Sequence, residues 1–304
     1  MTKLFSEKFK QKLKIATYEP LNKGWSSDKK YIIETTKGEK LLLRVADLAE
    51  QNRKKAEYLM AERVYNLGVP TPKPLDFGLC EDGRNVYSLF GWLVGEDAAA
   101  VLPSISEIEQ FVFGTKAGEI LQKMHTLPAP KNVESWAVWF WQKVQDRIDF
   151  YHANPIKSDN GDVIVRHLQE NKNLLNNRPQ TFNHGDFNVS NMIITPNKQI
   201  GVIDFNYDNK DHGDPWWEFD PPMHGWGSEP LPHFYTGFIK GYFGGEPPSE
   251  FFEIFSFYQA YDALAALCDT LIGEQGEPAD GKRHMENILR WFDNMRNSVP
   301  MWYL

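Results

Sequence analysis

The sequence predicts an α+β fold in two lobes: a small strand-rich lobe over residues 1–91 and a larger, mainly helical lobe over residues 92–304. Three observations carry this. β-branched, alternating segments crowd residues 31–90, and long helix-forming segments dominate after Trp92. Between the later helices, a short apolar–turn–apolar segment at 192–204 reads as β and follows a run of polar, ligand-type side chains.

In chain order, Tyr31-Ile32-Ile33-Glu34-Thr35 alternates as a strand, Lys37-Gly38 turns, and Lys40 to Val45 returns as its hairpin partner. Residues 52–67 are rich in helix formers and are stopped by Gly68 and Pro70. Residues 75–78 and 86–90 read as two further strands around Asp82-Gly83. Beyond Trp92, Ser106 with Glu109 three residues on forms a capping-box signature for a helix to Leu127. Residues 136–151, 162–175, 249–272 and 281–296 also read as helices.

The 304 residues suffice for one two-lobed enzyme. With 41% hydrophobic and 24% charged residues the chain is globular rather than disordered. No apolar run reaches the ~18–20 residues of a membrane helix, and residues 1–14 lack the apolar core of a signal peptide. Cys80 and Cys268 offer neither a disulfide framework nor a thiolate metal site. A cytoplasmic protein without a membrane partner is expected. Its net charge of −8 argues against nucleic acid as a partner. Residues 205–304 hold sixteen Asp and Glu against six Lys and Arg, which is either a solvated acidic face or a field that attracts a cationic small molecule.

The chemistry concentrates in Asn183-His184-Gly185-Asp186-Phe187-Asn188-Val189-Ser190-Asn191 and Ile203-Asp204-Phe205. Phosphoryl transfer from a nucleoside triphosphate needs a base to orient the attacking hydroxyl, and hard oxygen ligands for Mg²⁺. Asp186 can be the base. Asn191 supplies an amide oxygen and Asp204 a carboxylate. The apolar segments 192–194 and 200–203 around the turn at 196–198 predict a hairpin that returns Asp204 beside Asn191.

The pattern His-x-Asp-x₄-Asn followed by Ile-Asp-Phe is the counterpart of the protein kinase catalytic and metal-binding loops. With Gly185 in place of the usual arginine, the chain resembles the aminoglycoside phosphotransferase and choline kinase-like family, over residues 20–220. The resemblance implies a protein-kinase-like fold, ATP as donor (GTP remaining open) and Mg²⁺ as its metal. It puts a phosphate-covering loop at Gly24-Trp25-Ser26-Ser27-Asp28, with Ser26 and Ser27 as phosphate contacts. It also puts adenine-binding backbone at Phe90 and Trp92, and a structural brace for the catalytic loop at Asp214. Arg44 stands where kinases carry a phosphate-gripping lysine, a variant that keeps the charge but not the geometry. Its helix partner is Glu57 or Glu62, with Glu57 preferred.

His184 and His125 read as structural histidines. Trp136, Trp139 and Phe140 share a helical face, which points to core. Trp216 and Trp217 lie close enough to the metal loop to meet a substrate. Glu218, Asp220, Asp262 and Asp269 are candidate ammonium-binding carboxylates, the last two spaced seven apart to share one helix face. The expected activity is transfer of the γ-phosphate to a hydroxyl of an aminoglycoside-like antibiotic. Alternatives are a metabolic kinase for choline, an amino alcohol, methylthioribose or a macrolide, and a non-catalytic pseudokinase module. Monomer and homodimer both remain open.

Overall fold

The computed structural model describes residues 5–22, 28–80, 83–155, 158, 160–205, 212–219, 231–273 and 276–303. They form two compact units, one of residues 1–95 with 195–203, the other of 96–194 with 204–304.

The first unit opens with helix α1 (Glu7–Leu13), whose N-cap Ser6 accepts from the Phe9 amide at 3.3 Å. Five antiparallel strands follow: β1 (Ile15–Pro20), β2 (Lys29–Thr35), β3 (Lys40–Asp47), β4 (Pro74–Cys80) and β5 (Asn85–Gly91). Their spatial order is β1-β2-β3-β5-β4. Helix α2 (Gln51–Asn66) joins β3 to β4. Side chains alternate across a strand, so Tyr31, Ile33, Leu43 and Val45 face one core with Phe5, Phe9 and Tyr87. Arg44, between two of those positions, is thereby turned to the opposite face.

The second unit begins with β6 (Glu96–Asp97) and helices α3 (Ala98–Val101), α4 (Glu107–Met124), α5 (Trp136–Ala153) and α6 (Gly161–Glu170). Strand β7 (Thr181–Phe182) precedes the polar loop, and β8 (Met192–Ile194) follows it and pairs with β6. Strand β9 (Ile200–Val202) belongs to the first unit, where the Val202 amide donates to the Pro70 carbonyl at 2.8 Å. β10 (His212–Gly213) returns to the second unit to pair with β7. Helices α7 (Pro232–Phe243), α8 (Ser249–Ile272) and α9 (Pro278–Trp291) complete it.

The capping box at Ser106 forms as its spacing predicts, with the hydroxyl and the Glu109 carboxylate serving each other's backbone. Helix α7 was not foreseen, and its glycines explain why. Gly237 and Gly241 weaken a helix by about 1 kcal/mol each relative to alanine, so local propensity argues against one here. Tertiary packing reverses the sign. Cβ atoms at Gly114 and Gly118 of α4 would lie 1.9 and 2.1 Å from the Phe234 and Phe238 carbonyl oxygens. Those at Gly237 and Gly241 would lie 2.2 Å from the Phe111 and Thr115 carbonyls. Four glycines thus let two backbones touch. α8 is buried almost all round, with Phe251, Phe255, Ala260, Leu264 and Leu267 at 1% exposure or less.

Candidate active site

The polar loop is suspended from the short β7–β10 pair. Buried Asn183 fastens both sides, donating to the Asp214 carbonyl at 3.2 Å and accepting from the Gly213 amide at 3.2 Å. Gly185 sits at φ +82°, a left-handed conformation that side chains with a Cβ rarely adopt, so the chain's path explains the glycine between His184 and Asp186.

Glu218 holds this turn. It is 5% exposed, and its two oxygens accept from the His184 amide at 2.7 Å and the Gly185 amide at 2.6 Å. His125, at the C-terminus of α4, bridges Glu218 (3.1 Å) to the Tyr242 hydroxyl (2.9 Å). Asp214, fully buried, takes the Arg178 guanidinium on both oxygens and the Tyr258 hydroxyl at 2.7 Å. The bracing role expected of Asp214 is therefore divided. Asp214 anchors the base of the loop, and Glu218 holds the loop backbone. Expected as a substrate carboxylate, Glu218 is committed to three internal donors instead. His184, with no exposure, accepts from the Asp186 amide at 3.3 Å through Nδ1 and packs 4.6 Å from the Phe205 ring.

On this scaffold Asp186 is exposed and fixed from two sides. Asn188 Nδ2 donates to Oδ1 at 2.5 Å, and Asn191 Nδ2 donates to Oδ2 at 2.6 Å. Because the Asn191 nitrogen is spent on Asp186, its oxygen is the atom left for a cation. Asp204 is exposed and adopts φ +59°, a left-handed conformation uncommon outside glycine that clusters at functional sites. Desolvation by its surroundings raises the Asp186 carboxyl above its ordinary value. The Asn191 hydrogen bond and His184 oppose that rise, and the charges of Asp204 and Glu218 add to it. An amide oxygen and a carboxylate beside a second carboxylate are hard donors that suit Mg²⁺.

A pocket in the same unit extends from Asp186 along Trp217, Glu218, Gln259, Tyr261 and Asp262. Asp262 lies there at 39% side-chain exposure, bonded through Oδ2 to His284 Nε2 at 2.6 Å. Asp269 does not join it, because Arg147 of α5 takes its carboxylate at 2.7 Å. Trp217 lines the pocket and lies 5.6 Å from the Lys143 ammonium, whereas Trp216 stacks under Arg178. Trp136 and Phe140 are core, at 1% and 0% exposure, as their spacing predicts, whereas Trp139 on the same face is half-buried.

In the first unit, Arg44 lies on Asp28, with Nε and Nη2 at 3.0 and 2.8 Å from Oδ2. Buried Lys54 bonds the other Asp28 oxygen at 2.9 Å and Glu57 at 3.0 Å. The partner of Arg44 is thus Asp28 rather than Glu57, and Glu57 faces Lys54 and Arg53. The preference for Glu57 missed a lysine one turn earlier that occupies the same carboxylate. Phe90 is inside β5 opposite Leu42, and the Trp92 ring carries the Lys40 ammonium at 4.2 Å. Ser26, Ser27 and Asp220 lie outside the described residues.

The comparisons with known proteins agree with this geometry. The profile of the phosphotransferase enzyme family matches residues 17–252. The chain belongs to that family and is a phosphotransferase. Among solved structures, the ADP-bound aminoglycoside phosphotransferase APH(2'')-Ib is 16% identical, with 98% of each chain covered and a TM-score of 0.63. The streptomycin–ATP complex of APH(2")-IIa is 17% identical, covering 98% of this chain and 97% of that one, at 0.62. A choline/ethanolamine kinase family protein from Mesorhizobium loti is 15% identical over 93% and 91%, at 0.57. These likenesses establish the kinase-like α+β fold. A sequence comparison with curated proteins finds no match. No helix among the described residues is long and apolar enough to cross a membrane.

Proposed function

We propose that this phosphotransferase moves the γ-phosphate of ATP to a hydroxyl of a cationic, aminoglycoside-like small molecule, with Asp186 as the base. The observation that carries the proposal is Asp186 itself. It is an exposed carboxylate clamped on both oxygens by Asn188 and Asn191 and set beside Asp204. In that position its carboxylate accepts the hydroxyl proton as the oxygen attacks phosphorus, and the two amides keep it aimed. Asn191 Oδ1 and Asp204 would hold Mg²⁺, which when bound offsets the charge of the phosphates. Arg44, kept in place by Asp28, supplies a guanidinium for the nucleotide phosphates. Asp262 on the pocket wall supports a cationic acceptor.

Asp186→Asn is expected to lower kcat for phosphate transfer by about 10²–10⁴-fold while nucleotide affinity is retained. Transfer at the wild-type rate would remove Asp186 from the mechanism.

A further inference from the structure

We propose that Lys143 determines specificity at the aromatic wall of the pocket: it holds the Trp217 ring with its own charge, so that the wall takes an uncharged ring face of the acceptor and repels a cationic one. The proposal rests on the kinase reading above, because it takes the pocket beside Asp186 as the acceptor's.

Trp139, Lys143 and Arg147 are spaced four apart on α5 and share one face of it. The Lys143 ammonium lies over two indoles, 4.8 Å from the Trp139 ring centre and 5.6 Å from that of Trp217. Both fall inside the roughly 6 Å over which an aromatic face attracts a cation. Among the described residues Lys143 makes no hydrogen bond and no ion pair. The Asp269 charge reaches it, but that carboxylate is taken by Arg147 at 2.7 Å. Lys143 is also half-buried, so water screens its charge only in part.

Trp217 carries this charge to the pocket. The core side chains Trp136 and Phe140 pack 5.3 and 5.6 Å from its ring and hold the indole from within. The same half-buried ring lines the pocket that contains Asp186. Arg147 bonds the hydroxyl of Tyr261, a second ring on that lining. Two cations of one helix face thus stand against two rings of the pocket.

An aromatic face attracts a cation through its negative quadrupole. At Trp217 that attraction is already met by Lys143. A second positive charge stacked on the ring would stand within about 10 Å of the ammonium, a distance over which salt does not screen the repulsion. A sugar or another uncharged ring meets no such repulsion and stacks on the indole through its apolar face.

The test reads Trp217 directly. Quenching of tryptophan fluorescence by iodide and by caesium is measured at equal ionic strength for wild type, Lys143→Met and Lys143→Arg. Each is taken with and without Trp217→Phe, so that the difference isolates Trp217, and is normalised to free N-acetyltryptophanamide. Iodide is expected to quench Trp217 of wild type about threefold or more above caesium. Lys143→Met should erase that preference, and Lys143→Arg should keep it. Steady-state transfer from MgATP to kanamycin and choline reads the consequence for acceptors. For whichever is used, Lys143→Met should lower KM by about threefold or more, and Lys143→Arg should keep the wild-type value. A packing defect would raise KM, so a fall has the sign that a merely structural role does not give. Equal normalised quenching by the two ions in wild type would overturn the proposal, as would an unchanged preference or a raised KM in Lys143→Met. Where Trp217→Phe does not fold, the same ratio is read on the whole emission of wild type and the Lys143 variants. Where neither acceptor is phosphorylated, the quenching decides. Because quenching needs no turnover, the proposal can fail while Asp186-dependent transfer stands. The kinase reading fails separately, if Asp186→Asn turns over ATP as fast as wild type.

Discussion

Glu218 in the second unit and Asp28 in the first are both carboxylates sunk below a tenth of full exposure, at 5% and 8%, but they are compensated by different means. Glu218 is met by two backbone N–H groups and His125. Asp28 is met by the side chains Arg44 and Lys54. Backbone donors stand where the fold puts them, whatever the sequence. A carboxylate bonded to them therefore shapes a loop, and losing it strands groups that cannot move away. Side-chain donors have rotamers and other partners, and Lys54 also has Glu57. The first arrangement makes geometry, and the second holds a charge in place.

The largest expected effect follows from the stranded amides. Glu218→Ala leaves two loop N–H groups and His125 without their acceptor, at a cost of about 3–5 kcal/mol in urea unfolding. Phosphate transfer should fall with it, because the Asp186 loop loses its anchor. A smaller loss than in Asp28→Asn would break the comparison. Asp28→Asn should cost about 2–3 kcal/mol, below the full price of a broken buried pair because Glu57 still faces Lys54.

That variant should also alter the acid limb of stability. Burial acts to raise the Asp28 carboxyl, but Arg44 and Lys54 outweigh it and hold it below its ordinary value. With the folded value below the unfolded one of about 3.9, this contribution is present above about pH 4 and disappears as pH falls through the folded value. Asp28→Asn should therefore lose less stability than wild type between about pH 6 and pH 3, read from urea midpoints. A parallel loss in both proteins would contradict the ion pairing.

The smallest effect sharpens the role of burial. Ser106→Ala removes an exposed cap that also accepts from a backbone amide, at 3.3 Å from Glu109. Water can replace that bond, so the loss should be about 1 kcal/mol, measured as a modest Tm shift. A loss as large as that of Glu218→Ala would mean that burial does not separate the two.

Strands β2 to β5 of the first unit and helices α2, α4, α5 and α8 were legible because period and punctuation are local, whereas β1 was not singled out. Tyr31-Ile32-Ile33 alternates, Gly68 and Pro70 stop a helix, and Ser106 with Glu109 starts one. α7 was not legible, since its glycines argue against a helix until α4 lies on top of them. The candidate triplet Asp186, Asn191 and Asp204 was legible through spacing, but the side chains that hold the loop were not. Glu218 is 32 residues beyond Asp186 and read as a candidate substrate carboxylate rather than as a support of the loop. Asp28 stood at the end of the predicted phosphate loop and drew no notice as the mate of Arg44.

By itself the sequence determined the α+β class and the order of most elements, and it singled out Asp186, Asn191 and Asp204 as the candidate site. These follow from periodicities and spacings that the chain carries within a few residues, and a short loop cannot place such ligands far apart. Only the tertiary structure decided which carboxylates are spent and which face the pocket. Glu218 is taken up by the loop amides and Asp269 by Arg147, while Asp262, bonded to His284 through one oxygen, keeps 39% side-chain exposure in the pocket. That distinction is a matter of which hydrogen-bond partners folding brings within about 3 Å, and those partners come from segments far apart in the chain.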